Sequence, residues 1–306
     1  MIEDAGGKAR RRTSERPARA VMGCGVIVAL SAWIAPAPCL AADPQREPDQ
    51  HFTLDPVADG VLIAGGAGFS GLLEMILSTG EITPQRPGSP NQLLGIDRIA
   101  VTQTIDSHAD TFSSVGLGVG IAFAAIDPFL SAQRDGWDAA LVDAMMYGET
   151  IALTLALTDI TKVAVRRPRP KAYAEQAALD AQSGGGPGSP SITSTDATLS
   201  FFSGHAATTG AITATATYLA FSRAPSSPRP WITLGAGVAL TSFVAVERVR
   251  AGAHFPTDVI AGSLAGAVVG VLVPHLHRHT AEAPSVVIGF APATGEGGVL
   301  TLHGEF

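Results

Sequence analysis

The sequence predicts an all-α fold: a bundle of six helices, preceded by a signal segment and followed by a short β-hairpin. Three observations carry this. Six apolar stretches, about 60–78, 112–131, 144–165, 205–222, 231–247 and 258–274, are each long enough for several helical turns. Ala, Leu, Gly and Val dominate them, which favours helices over strands. Prolines punctuate them: Pro168 and Pro170 close the third, Pro225, Pro228 and Pro230 separate the fourth from the fifth, and Pro256 fits the first turn of the sixth.

The elements follow in order. Lys8, Arg10, Arg11, Arg12, Arg16 and Arg19 form a basic head, Val21 to Ile34 an apolar core, and small residues lead to Ala41 and Ala42. Residues 1–42 therefore read as an export signal, and the long head also suits an uncleaved anchor helix. Both cysteines, Cys24 and Cys39, lie there, so a mature chain has no disulfide, cysteine metal site or thiol nucleophile. Residues 43–59, broken by Pro44, Pro48 and Pro56, read as a linker, and 60–279 as the helical domain. Inside that domain, 171–200 is the longest polar interruption and reads as a loop, either a lid or a flexible linker. The Thr-rich stretch 205–222 has the weakest helix propensity of the six. In the tail, 280–306, Ser285–Phe290 and Gly298–Leu302 read as two strands around a Gly-rich turn, packed on the helices.

Charged residues are 15% and hydrophobic ones 46%, less polar than an ordinary soluble protein. The net charge of −7 argues against nucleic acid as a partner. Stretches of roughly 17 to 22 residues lie at the border between buried core helices and bilayer spans. Several carry charges: Glu74, Asp127, Glu149, Asp159 and Lys162. If all six span after a cleaved signal, the third ends in the cytoplasm. If the Gly-rich first stretch does not span, that end faces the periplasm. The latter is the expectation here: an exported cell-envelope protein, periplasm-facing, soluble or embedded.

Three separated blocks carry the chemistry. Lys162 and Arg169 flank the proline break, where a point charge and a planar fork can hold phosphate-like oxygens. Ser203-Gly204-His205 opens the fourth helix; Ser203 is a good N-cap, and the first-turn N–H groups face an anion. Arg248, His254 and Asp258 surround the start of the sixth helix, where Asp258 can reach one imidazole nitrogen and leave the other free to attack. Each block alone also suits an ordinary helix end; the order, spacing and completeness of the set distinguish it.

These blocks resemble the signature of the type 2 phosphatidic acid phosphatase and vanadium haloperoxidase superfamily: Lys-x6-Arg-Pro, Pro-Ser-Gly-His, and Ser-Arg-x5-His-x3-Asp. Here Phe202 replaces the proline of the second block and Glu247 the serine of the third. The resemblance covers roughly 144–274, and the six-helix pattern extends it back to 60. It implies the six-helix bundle of the acid phosphatase and haloperoxidase type, acting as a metal-independent phosphatase on a phosphomonoester or pyrophosphate. Lys162, Arg169 and Arg248 would bind phosphate, helped by backbone N–H groups of Ser203 and Gly204. His254 would form a phosphohistidine, Asp258 would orient it, and His205 would transfer the proton. The apolar domain makes a membrane lipid phosphate the expected substrate, with a small phosphoester open and the oligomeric state unread. No cofactor is implied, although vanadate would bind as a phosphate mimic. The alternatives are a vanadium-dependent haloperoxidase, disfavoured by the short chain, and a non-catalytic anion-binding envelope protein, disfavoured by the intact histidines.

No metal ligands are assigned. His275, His277 and His279 invite a metal reading but lack carboxylate or thiol partners, so they read as polar ends of a helix C-terminus. Glu149 and Asp159 read as polar members of the bundle, and His51, His108 and His303 have no suggestive neighbours.

Overall fold

The computed structural model describes residues 52–82, 84–184 and 189–278, together with the backbone of 286–293 and 297–304. The signal segment, most of the linker, the Gly-rich run within 183–190 and His279 lie largely or wholly outside these residues. The helices are α1 (Pro56–Ser78), α2 (Gly95–Thr102), α3 (Ala109–Asp135), α4 (Trp137–Val165), α5 (Pro170–Ser183), α6 (Gly204–Arg223), α7 (Arg229–Arg250) and α8 (Pro256–Leu276). Strands β1 (Val286–Ala293) and β2 (Gly297–Gly304) pair antiparallel, with Val286 opposite Gly304 and Ala293 opposite Gly297. The all-α bundle is as expected, the tail strands pair as a hairpin, and the six apolar stretches correspond to α1, α3, α4, α6, α7 and α8.

Two helices were not anticipated. The expected loop 171–200 begins with α5, and α2 lies in a segment left unassigned. Helix α5 is polar, so it carries no apolar stripe; its propensity comes from the run Ala172-Tyr173-Ala174-Glu175-Gln176-Ala177-Ala178-Leu179. Pro170 opens it, and Gly184, at φ 78°, supplies the left-handed residue that ends it. The Thr-rich stretch is helical throughout because tertiary burial overrides its modest propensity.

Helix α6 is the centre of the bundle and packs against α3, α4, α7 and α8, while α1 lies on α4. Met146, Tyr147, Ile212, Leu219, Val273 and Phe52 form the main apolar cluster. The α6–α8 contact is backbone-close. A Cβ on Gly262 would stand 2.7 Å from the Ser203 carbonyl oxygen, and those on Gly266 and Gly270 would collide with the carbonyl oxygens of Ala207 and Ala211. Both rows recur every four residues, the spacing that lets small residues bring two helices together. This contact sets the N-terminus of α6 beside that of α8, where two of the three blocks reside.

Charges inside the apolar helices are paired. Asp127 accepts from Tyr147 Oη at 2.9 Å and Arg229 at 2.8 Å, and Asp143 meets Arg223 at 2.5 Å. Among the described residues, five segments are long and apolar enough to cross a membrane: Pro56–Ser78, Ala109–Asp135, Trp137–Ser183, Arg229–Arg250 and Pro256–Leu276. Their outer faces expose large apolar side chains, among them Val61, Val115, Ile232, Leu264 and Val268.

Candidate active site

Lys162 lies in the last turn of α4, and its Nζ donates to Asp159 Oδ1 at 3.0 Å and Glu74 Oε1 at 3.3 Å. Arg169 is the residue before α5; its backbone N–H donates to the Ala197 carbonyl at 2.7 Å and its Nη2 to Asp196 at 2.5 Å. Arg248, in the last turn of α7, pairs with Asp110 and reaches Ser113 Oγ at 3.3 Å. In each case an exposed carboxylate meets a sheltered cation. Side-chain exposure is 16%, 12% and 7% for Lys162, Arg169 and Arg248, against 57%, 59% and 66% for Glu74, Asp196 and Asp110. The Nε–H groups of Arg169 and Arg248 are buried without a hydrogen-bond partner among the described residues. Such donors are costly unless an acceptor reaches them.

The two histidines share the field of these cations. His205, in the first turn of α6, has Ser114 Oγ 3.3 Å from its Nε2. Burial, then Arg248, with Lys162 and Arg169 adding to it against Asp110, pushes its pKa down to about 4. His254 is buried in the turn between α7 and α8. Burial, then Arg169, Arg248 and Lys162, hold its pKa well below the usual imidazole range. Its Nδ1 is 2.6 Å from the Ser200 carbonyl oxygen. That oxygen can only accept, so Nδ1 carries the hydrogen and the Nε2 lone pair is left free.

The expected contact between Asp258 and His254 is not made. Asp258 Oδ2 accepts from Ser200 Oγ at 2.5 Å and from the Phe255 N–H at 2.9 Å, while Oδ1 accepts from Arg167 at 2.5 Å. The reason is local. Asp258 is the third residue of α8, where a carboxylate turns back to an N–H just ahead of the helix. The Ser200 carbonyl takes the place on the imidazole, and Asp258 reaches His254 only through Ser200.

The other predicted residues stand as follows. Ser203 caps α6, its Oγ accepting from the Ala206 N–H at 3.4 Å. Its own N–H donates to the Asp258 carbonyl at 3.2 Å, so of the two expected backbone donors only that of Gly204 is open to a ligand among the described residues. A Cβ on Gly204 would meet Thr158 Cγ2 at 3.3 Å. Gly252, at φ 63°, makes the turn that brings His254 back, and its carbonyl accepts from the Lys171 N–H at 3.0 Å. Glu247, at the position of the family's serine, pairs with Arg250 at 2.7 Å.

Sequence reasoning missed Arg167, Asp97, Ser200, Asp110 and Ser114. Arg167 joins the blocks: it donates to Asp258, to Thr257 Oγ1 at 2.8 Å and to Asp97 at 2.8 Å, with its guanidinium 4.0 Å from the Phe255 ring centroid. The one available signal was its place among Arg166, Arg169 and Lys171, a run of basic residues around the proline break. Asp97 and Asp110 belong to the first turns of α2 and α3, where acidic residues are common for unrelated reasons.

Residues 143–281 match the family model described as the PAP2 superfamily, a span that holds every predicted site residue. This segment is a PAP2 domain. The resemblance carried by the three blocks is thereby confirmed. A similar solved structure is described as the first transmembrane PAP2 type phosphatidylglycerolphosphate phosphatase from Bacillus subtilis. It is 18% identical, with a TM-score of 0.40, over 72% of this chain and 94% of that one. No curated protein matches.

Proposed function

We propose that this PAP2 protein is a membrane-embedded, metal-independent phosphatase that hydrolyses a lipid phosphomonoester or pyrophosphate through a phosphohistidine. One observation carries the reading: buried Nε–H donors of Arg169 and Arg248, unpartnered among the described residues, accompany a histidine whose hydrogen is held on Nδ1. A phosphoryl group satisfies those donors and presents phosphorus to Nε2.

In the first step the His254 Nε2 lone pair forms a bond to phosphorus. The phosphorus–oxygen ester bond breaks, and the departing alcohol takes a proton from His205. In the second step His205 accepts a proton from water as that water attacks phosphorus, the nitrogen–phosphorus bond breaks, and phosphate leaves. Lys162, Arg169 and Arg248 stabilise the charge on the equatorial oxygens, which is where the largest catalytic contribution is expected. Asp258 acts as a positioning residue by holding Ser200. Burial and the neighbouring cations disfavour protonation of both histidines in the free protein, so the proton for the leaving group is taken up from solution as substrate binds. A dianion among three cations restores the basicity of His205.

An apolar cleft of about 800 Å³ between α6, α7 and α8 supports a lipid substrate. Val238, Val259, Ile260, Leu264 and Val271 line it, and Val259 adjoins Asp258. Export to the cell envelope belongs to the same reading. A periplasm-facing site requires that α1 not span, yet α1 is long and apolar enough to do so. Thiol labelling of an Asp196→Cys variant in intact cells tests the orientation. The function is tested by phosphate release from a panel of lipid and soluble phosphates in EDTA. His254→Ala should abolish release, and halide oxidation with added vanadate in place of phosphate release would overturn the reading.

A further inference from the structure

At the other end of the bundle, side chains from three helices meet. Asp59 lies in the first turn of α1, Glu149 in the middle of α4, and His277 directly after α8. Thirteen residues of helix separate Glu149 from Lys162, roughly 20 Å at 1.5 Å per residue, so this cluster is distinct from the phosphate site. The segment before α1 closes the corner: the Thr53 N–H donates to the His277 carbonyl at 2.9 Å.

The geometry points to a divalent metal site of the Zn²⁺ type, with His277 Nε2, Asp59 Oδ1 and Glu149 Oε2 as protein ligands. Four observations support it. His277 Nδ1 is 2.8 Å from the Val273 carbonyl, which keeps a hydrogen there and makes Nε2 the ring nitrogen that faces the two carboxylates; without an ion Nε2 donates to Asp59 Oδ1, and a bound ion would take the place of that hydrogen. The bond to Val273 is the outer hydrogen bond that metal-binding imidazoles usually make. Nε2 is 3.2 Å from Asp59 Oδ1 and 3.4 Å from Glu149 Oε2, and ligand atoms of all three residues lie within 4.8 Å of one another. Bonds of about 2.0–2.1 Å to a tetrahedral ion place its ligands about 3.3 Å apart. Glu149, 5% exposed, accepts no hydrogen bond among the described residues; its sole partner there is the His277 ring. Asp59 differs, because its Oδ2 already accepts the Asp55 N–H at 3.0 Å and only Oδ1 faces the cluster.

The ion would tie the start of the helical domain to the end of its last helix. Its role is structural, and it takes no part in the phosphate chemistry.

The test uses the full chain purified in detergent, stripped with EDTA and reloaded with ZnCl₂. About one Zn²⁺ per chain should remain after desalting, and the Tm should rise on reloading. Glu149→Gln and Asp59→Asn should lose both effects while keeping phosphate release within about threefold of the parent. His254→Ala should lose phosphate release and keep both metal effects, so the two readings fail separately. X-ray absorption on the zinc-loaded parent should show one nitrogen and at least two oxygen ligands, and this needs no variant to fold. Absence of retained zinc, a Tm shift that persists in Glu149→Gln, or a sulfur or multi-histidine shell would overturn the site.

Discussion

Asp258→Asn separates two accounts of how His254 is held. If Asp258 bonded the imidazole directly, its charge would set the tautomer, and neutralising it would cripple the nucleophile as thoroughly as removing the ring. Here the Ser200 carbonyl holds Nδ1 at 2.6 Å, and a backbone carbonyl survives the substitution. What the variant loses is charge in three hydrogen bonds, to Ser200 Oγ, the Phe255 N–H and Arg167. Charge-assisted bonds contribute about 1.5–3 kcal/mol each and neutral ones roughly half that. Arg167 keeps Asp97 as a partner at 2.8 Å, which limits the damage. A loss of about 2–3 kcal/mol in stability is expected from those bond strengths. Through the Ser200 relay, kcat should fall about 10- to 100-fold, equivalent to about 1.4–2.8 kcal/mol. The assay is steady-state phosphate release beside His254→Ala, with thermal unfolding confirming that both variants are folded. A folded Asp258→Asn protein as inactive as His254→Ala would refute the relay and require direct Asp258–His254 contact during catalysis.

Three further outcomes follow from the geometry. Binding of inorganic phosphate at about pH 8, where the free anion is mainly the dianion, should take up protons, because the bound anion raises the His205 pKa from about 4; calorimetry in buffers of different ionisation enthalpy measures it, and an uptake unchanged in His205→Asn would assign the proton elsewhere. Gly266→Ala puts a Cβ onto the Ala207 carbonyl and should cost about 1–3 kcal/mol. Gly235→Ala on α7, with nothing within 4 Å, should be neutral or stabilise by up to about 1 kcal/mol, and equal melting shifts would contradict the close α6–α8 contact. Asp196→Asn releases a 59% exposed carboxylate from Arg169 and should lower KM by up to about fivefold with kcat little changed, since such pairs contribute at most about 1 kcal/mol; a raised KM would mean that Asp196 orients Arg169 instead.

The legible part of the fold was the part written in hydropathy. Long apolar stretches revealed α1, α3, α4, α6, α7 and α8, because a helix buried on several sides or facing lipid must be apolar along its length. Helix α5 escaped because its polar sequence expresses only propensity and caps. The candidate site was legible as three local motifs, but Arg167, which joins two of them, occupies no motif position.

Residue identity and spacing alone determined the chemistry available to this protein: three cations, two imidazoles and a carboxylate at the ends of helices. Tertiary structure decided which atoms meet. Glycines at 262, 266 and 270 let α8 approach α6 to backbone distance, and that approach sets Ser200 between His254 and Asp258. The same folding brings Asp59 to His277 across 218 positions and adds Glu149 from α4, supplying the carboxylates that the histidine run lacked in sequence. Spacing along a chain constrains neighbours within a helical turn or two, whereas contacts between distant segments depend on how closely their helices can pack.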